Sequence, residues 1–303
     1  MRAESQSKRG LSLVEFVVLA TVILLGGSLT VRAVLAGQIF AKRMRAENNL
    51  KALGLAMHNY SSANGVFPMS QVASDDPKQR GVGHSGFTAM LPYLEQARIY
   101  NAYNFDLEPW DIVNHTATGT RVEVFLAPEN KDITANEAKA IKRLDGTPVP
   151  GLNTFGPLHY GLNWGGGHKG FGDDFIEAKG TNRGIFLPVA DKAGRKAGVK
   201  NVGIAQIIDG TSMTLAMVER RESGGWALGG FGGSEFDVNT SPDYAGDDPR
   251  SLRAFTGSVF PDGPRALLAD GSVRVLKRSL DKALWYALLT RDGAEAIDIS
   301  KLD

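Results

Sequence analysis

The acidic loop 235–248, EFDVNTSPDYAGDD, carries the oxygen-bearing side chains best spaced to hold a cation. Asp237, Asn239 and Ser241 stand at i, i+2 and i+4, with Asp243, Asp247 and Asp248 close behind. That spacing is how a calcium loop presents its first ligands. Its sixth position is Pro242 rather than glycine and its twelfth is Asp248 rather than glutamate, so the loop is not an EF-hand. Calcium held by Asp237, Asn239, Ser241 and Asp243 and a solvated acidic loop are the two readings; no other cofactor is expected.

Other chemistry is less well supported. The five histidines, His58, His84, His115, His159 and His168, show no paired ligand spacing, although His159 and His168 flank a glycine-rich loop. The run Gly165-Gly166-Gly167-His168-Lys169-Gly170 satisfies G-x-G-x-x-G, but no helical period follows it, as a dinucleotide site requires. Gly83-His84-Ser85-Gly86 has Phe87 where a nucleophile elbow needs its second glycine. The chain has no cysteine, which removes disulfides, thiolate metal sites and cysteine nucleophiles. The net charge of +1 gives no electrostatic reason to expect nucleic acid. The residues therefore point away from an enzyme.

The elements that would position these groups begin with an unusual N-terminus. Residues 1–10, MRAESQSKRG, are polar and basic; residues 11–31 are apolar, with Glu15 their only charge. As a helix this run spans roughly 31 Å, about the hydrocarbon thickness of a bilayer. Four readings apply: a buried core helix, a plain transmembrane anchor, a secretory signal cut near Val34-Leu35-Ala36, or a processed membrane helix. Basic residues flank the run on both sides (Arg2, Lys8 and Arg9; Arg32, Lys42, Arg43, Arg45 and Lys51), so charge does not set its orientation. The helical period continues to Tyr60, with Leu50, Leu53, Met57 and Tyr60 on one stripe.

The body that follows has 43% hydrophobic and 22% charged residues over the whole chain, as in a globular protein. Its glycine excess, 36 in 303 residues, favours a turn-rich β domain. Residues 87–104 read as a short helix or helix pair, and 121–126 (RVEVFL) as a strand. A surface helix is expected over 132–143, a hairpin over 265–277 turning at Asp270-Gly271, and a closing helix over about 280–290.

Gly10 followed by Leu11-Ser12-Leu13-Val14-Glu15 resembles the prepilin signal. The resemblance implies cleavage between Gly10 and Leu11 by a prepilin peptidase, methylation of the new N-terminus, and a role for Glu15 in assembly with neighbouring pilin-like subunits. A carboxylate in a bilayer needs a partner, and the amine of a neighbour would supply one. The segments NNLKALGLAMHNY (48–60), GVFP (65–68), MLPYLEQ (90–96), PWD (109–111), IIDGTSMTLAMVE (207–219), LLADGSVRVL (267–276) and LLTRDGAEAI (288–297) extend the likeness. In that order they resemble the planctomycete prepilin-like family, which carries a domain of unknown function and a C-terminal H-x9-DG motif. Phe260 stands where that motif has histidine, and Ala127 where the family has cysteine.

The expected architecture is α+β: a leader (1–10), a pilin-like N-terminal helix (11–62) with a membrane-embedded first half, and a glycine-rich, mainly antiparallel β domain (63–303) outside the cytoplasm. The expected function is that of a single-pass inner-membrane, pseudopilin-like protein with a structural or assembly role in the cell envelope. The alternative is a membrane-tethered binding module for a glycan or peptide, with Trp164, Trp226 and Phe231 as candidate stacking rings.

Overall fold

The computed structural model describes residues 12–73, 83–128, 155–163, 165, 184–189, 202–229, 235–236, 260, 262–277 and 280–293. The fold is mixed helix and sheet, α+β as expected, and the chain divides into two compact units, 1–44 and 45–303.

The described part of the first unit is helical. It belongs to α1, Leu13–Asn64, a helix of 52 residues. Leu13, Val14, Phe16, Val17 and Val18 are all more than half exposed, as are Val34, Leu35 and Phe40. The side chains of Leu19 and residues 22–31 lie outside the description. Among the described residues no helix is long and apolar enough to cross a membrane.

In the second unit the amphipathic stretch of α1 buries Ala46, Leu50, Leu53, Ala56 and Met57. Tyr60, the last member of the expected stripe, is half-buried. The helix stops at Gly65, whose φ of 75° suits glycine and whose N–H donates to Ser61 O at 2.8 Å. Two sheets follow. The smaller has the order β4 (Pro188–Val189), β1 (Gln71–Ala73), β2 (Gly83–Ser85), β6 (Leu228–Gly229). The larger runs β7 (Glu235–Phe236), β3 (Pro157–Asn163), β5 (Leu215–Gly225), β8 (Arg265–Leu268), β9 (Val273–Val275). Pairing is antiparallel except at β1–β4 and β3–β7.

The larger sheet is covered on both faces, so strands β3 and β8 bury successive residues, polar ones included, without an in–out alternation. Met217 and Leu267 join the core that includes Leu50, Leu53 and Met57 of α1. Leu215, Val218, Ala266 and Leu268 point the other way, into a second cluster with Trp285, Leu288 and Leu289 of the closing helix α5 (Lys282–Leu289). Asp281 caps α5, accepting from the N–H groups of Ala283 and Leu284 at 2.8 and 3.2 Å. At Gly54 a Cβ would stand 2.9 Å from Leu267 Cδ1, so glycine sets how closely α1 approaches β8.

The hairpin expected over 265–277 is present as β8–β9, with Leu267 opposite Val273 and Gly271 at φ 88° in the turn. The helix pair over 87–104 is present as α2 (Gly86–Met90) and α3 (Ala97–Ala102), joined by a 3-10 turn at Leu91–Leu94 and followed by the one-turn α4 (His115–Thr118). The strand expected over 121–126 is not formed. Glu123–Phe125 is a 3-10 turn that buries Val122 and Phe125, while exposed Glu123 pairs with Arg45. Spacing of three here serves one buried side, and the Val122–Val124 alternation was incidental. The helix expected over 132–143 lies outside the described residues.

Candidate functional site

Gly10 and Leu11 lie outside the described residues, but Ser12 and Glu15 do not. Glu15 Oε2 accepts from the Ser12 N–H at 2.8 Å and from Ser12 Oγ at 3.0 Å. The Glu15 N–H lies 3.3 Å from Ser12 Oγ. This is a capping box, in which serine and glutamate satisfy each other's orphan N–H groups at a helix start. The S-x-x-E spacing was legible in Ser12–Glu15, and it gives Glu15 a structural task within its own chain.

The calcium candidates Asp237, Asn239, Ser241 and Asp243 lie outside the described residues. Among the described residues no group of three histidine or acidic side chains could hold a metal. Of the G-x-G-x-x-G run only Gly165 is described; strand β3 precedes it. In Gly83-His84-Ser85-Gly86, Ser85 is 1% exposed and caps α2, its Oγ accepting from the Phe87 N–H at 3.2 Å. Gly86 is there because a Cβ would meet Met69 O at 2.1 Å. These glycines and this serine build a strand-to-helix corner.

The four described histidines are scattered. His58 packs edge-on to Phe67, and the His115 Nε2–H donates to Trp110 O at 3.1 Å. His159 is buried, and its Nδ1 accepts from the Ala127 N–H at 3.1 Å. The Ala127 position thus sits against a histidine through its backbone. Phe260 is buried under the Arg265 guanidinium, 4.5 Å from the ring centroid. Arg265 also bonds Gly263 O at 3.1 Å and Asp262 at 2.9 Å, so the ring closes a fixed turn at the start of β8.

Trp226 is completely buried, packs near Phe125, and donates its indole N–H to Thr120 O at 2.8 Å. It is a core residue and cannot stack on a ligand. Trp164 and Phe231 lie outside the described residues.

A different aromatic surface, not anticipated from the sequence, gathers from four segments. The last turns of α1 present Tyr60, the 3-10 turn Leu91–Leu94 presents Tyr93, α3 presents Tyr100, and the loop after α3 presents Phe105. Tyr60 and Tyr93 meet edge to face at 5.9 Å; Tyr100 and Phe105 are 5.1 Å apart. Behind Phe105 lie Tyr103 at 4.6 Å and His84 at 5.9 Å. The Tyr103 hydroxyl and His84 Nδ1 are 2.6 Å apart. Burial pushes the His84 pKa down to about 4 and pushes the Tyr103 phenol up, so a neutral phenol donates to a neutral imidazole. The buried Asn114 side chain ties the 104–108 loop: Oδ1 accepts from the Asn104 N–H at 2.8 Å, and Nδ2 donates to Asn104 O at 2.9 Å and Glu108 O at 3.1 Å. The density of aromatics in YLEQARIYNAYNF (93–105) was the available signal.

No curated protein and no solved structure matches the chain. A family model does, over residues 40–283, which is most of the 303 residues. The matched span takes in the amphipathic stretch of α1, both sheets and the start of α5, and it makes this chain a member of the family described as protein of unknown function (DUF1559; SBP_bac_10).

Proposed function

We propose that the protein is a prepilin-like, single-pass membrane protein, cut by a prepilin peptidase between Gly10 and Leu11, with its β-rich domain outside the cytoplasm and a structural or assembly role in the envelope. The observation that carries this reading is the apolar surface of α1 in the first unit. Leu13, Val14, Phe16, Val17 and Val18 are each more than half exposed, within a run whose only charge is Glu15. Transferring those five side chains from water to lipid is worth on the order of 10 kcal/mol. The Ser12–Glu15 box supports the same reading, because it satisfies helix-start N–H groups that lipid cannot. Glu15 Oε1 takes no bond among the described residues and is the oxygen left for the amine of a neighbouring subunit. The ordered likeness of segments between 48 and 297 to the planctomycete prepilin-like family supports the assignment further, with Phe260 and Ala127 as this chain's departures.

Mass spectrometry of the protein purified from membranes tests the proposal. A chain beginning at methylated Leu11 is the expected result. A start at Gly37 would make it a secreted soluble protein, and an intact Met1 or Arg2 would leave a plain anchor; either ends the prepilin reading.

A further inference from the structure

Tyrosines with both a buried ring and a buried hydroxyl pair that hydroxyl. Tyr103 does so with His84 and Tyr160 with Ala46 O, at 2.6 and 3.4 Å. Tyr60, Tyr93 and Tyr100 do not. Their rings are half-buried, and their hydroxyls bond to no protein group among the described residues. None of the three oxygens is among the sealed, partnerless atoms of the interior, so all three reach solvent. They share one surface. The Tyr60 phenol is held above its ordinary pKa first by burial and then by Tyr93 and Tyr100, which are close enough to oppose its ionisation. Phe105, 41% exposed against Tyr100, extends the row.

The support behind this row is rigid. Phe105 rests on Tyr103 and His84, and Asn114 holds its loop at both ends. The rings are therefore set in place before anything binds, which lowers the ordering cost of association. The segments that bear them carry exposed Glu95, Arg98 and Asp106, charges of both signs that create no field of one sign. Clustered, partly exposed rings whose hydroxyls reach solvent, with no dominant charge around them, suit a hydroxyl-rich, uncharged ligand.

We propose that Tyr60, Tyr93, Tyr100 and Phe105 form a binding face for a neutral glycan chain, the rings stacking on sugar faces and the tyrosine hydroxyls bonding sugar hydroxyls. This site uses none of the aromatics of the glycine-rich segments and does not depend on how the N-terminus is processed. It gives the β domain a binding role whether or not the chain assembles with others.

The test is depletion of the full-length protein from solution by insoluble neutral glycans: cellulose, curdlan and cross-linked dextran. The protein is held in a detergent without a sugar headgroup, and alginate beads serve as the polyanion control. At least one neutral glycan depletes the protein, and the Y93A/Y100A double variant binds it about ten-fold or more weakly. The triple variant Y60F/Y93F/Y100F keeps every ring and guards against a folding defect; it binds several-fold more weakly, because only the hydroxyls are gone. No depletion by any of the three glycans, depletion by alginate alone, or equal binding by wild type and Y93A/Y100A overturns the proposal. Unchanged binding by the triple phenylalanine variant overturns the hydroxyl contribution.

Discussion

Replacing Asn114 by alanine removes a side chain that ties the 104–108 loop to the turn at Ile112–Asn114. Three of its bonds fall at 2.8, 2.9 and 3.1 Å, and a fourth contact, Nδ2 to Leu107 O, is stretched to 3.4 Å. An amide nitrogen has two hydrogens, so the stretched contact shares a donor and adds little. At about 1 kcal/mol net for each of the three, N114A costs roughly 3 kcal/mol. Asn104 is only partly buried, so water can reach its freed N–H and keeps the cost from rising much further. Urea denaturation of the purified protein reads the loss as a lower midpoint with an unchanged slope. Asn114→Asp is the sharper variant: its carboxylate still accepts from the Asn104 N–H but faces the Asn104 and Glu108 carbonyls without a hydrogen to offer. It is therefore at least as destabilised as N114A. Hydrogen exchange at amides 104–108 rises in both. A stability loss under about 0.5 kcal/mol for N114A, or wild-type stability for N114D, would refute the view that this side chain organises the loop.

Three further outcomes are expected. His84 titrates near 4 in the folded chain against an ordinary value of 6.5, so the unfolded chain binds the extra proton first. Its contribution is complete above pH 6.5 and falls by about 3 kcal/mol as pH drops toward 4, a slope that His84→Phe removes from stability measured against pH. Gly86→Ala drives a Cβ to within 2.1 Å of Met69 O, a backbone atom, and lowers the thermal midpoint sharply; Gly54→Ala presses on the buried Leu267 side chain, Cδ1 at 2.9 Å, and lowers it less, since a side chain can give where a carbonyl cannot and better helix propensity offsets part of the strain. Asp209→Ala removes the acceptor of the Gly293 N–H, which Asp209 Oδ2 holds at 2.7 Å, while the Thr290 hydroxyl keeps its bond to Ala287 O at 3.1 Å; limited proteolysis then cuts first near Gly293.

Several sequence segments far apart in the chain meet in the tertiary structure. IIDGTS and LLTRDG meet through Asp209, which accepts from Gly293 and donates its own N–H to Arg291 O at 3.1 Å. NNLKALGLAMHNY meets LLADGSVRVL where Gly54 lies against Leu267 and Gly271. Asn49 reaches Leu126 O at 2.9 Å, beside the Ala127 position. These pieces of sequence are the two sides of tertiary contacts, and their work is to hold the core.

What the residues determined alone was whatever depends on near neighbours in the chain. The stripe Leu50, Leu53 and Met57 comes from a repeat of 3.6, so its burial was readable. The Asp270-Gly271 turn needs a positive φ that glycine adopts freely, so the hairpin was readable too. The S-x-x-E box closes within one helical turn. Periodicity failed at 121–126, where the short alternation of Val122 and Val124 imitated a strand while Arg45 and the core claimed opposite sides of a 3-10 turn.

Only the tertiary structure could decide what lies beyond one turn or one hairpin. Trp226, flanked by glycines in sequence, looked like a loop aromatic, yet Gly156 leaves its indole just enough room to reach Thr120 O in the interior. The aromatic face draws Tyr60, Tyr93, Tyr100 and Phe105 from α1, a 3-10 turn, α3 and a loop, and no spacing along the chain encodes that meeting. Packing of helices and turns against the sheets brings those rings together, and it leaves three tyrosine hydroxyls with no hydrogen-bond partner among the described residues.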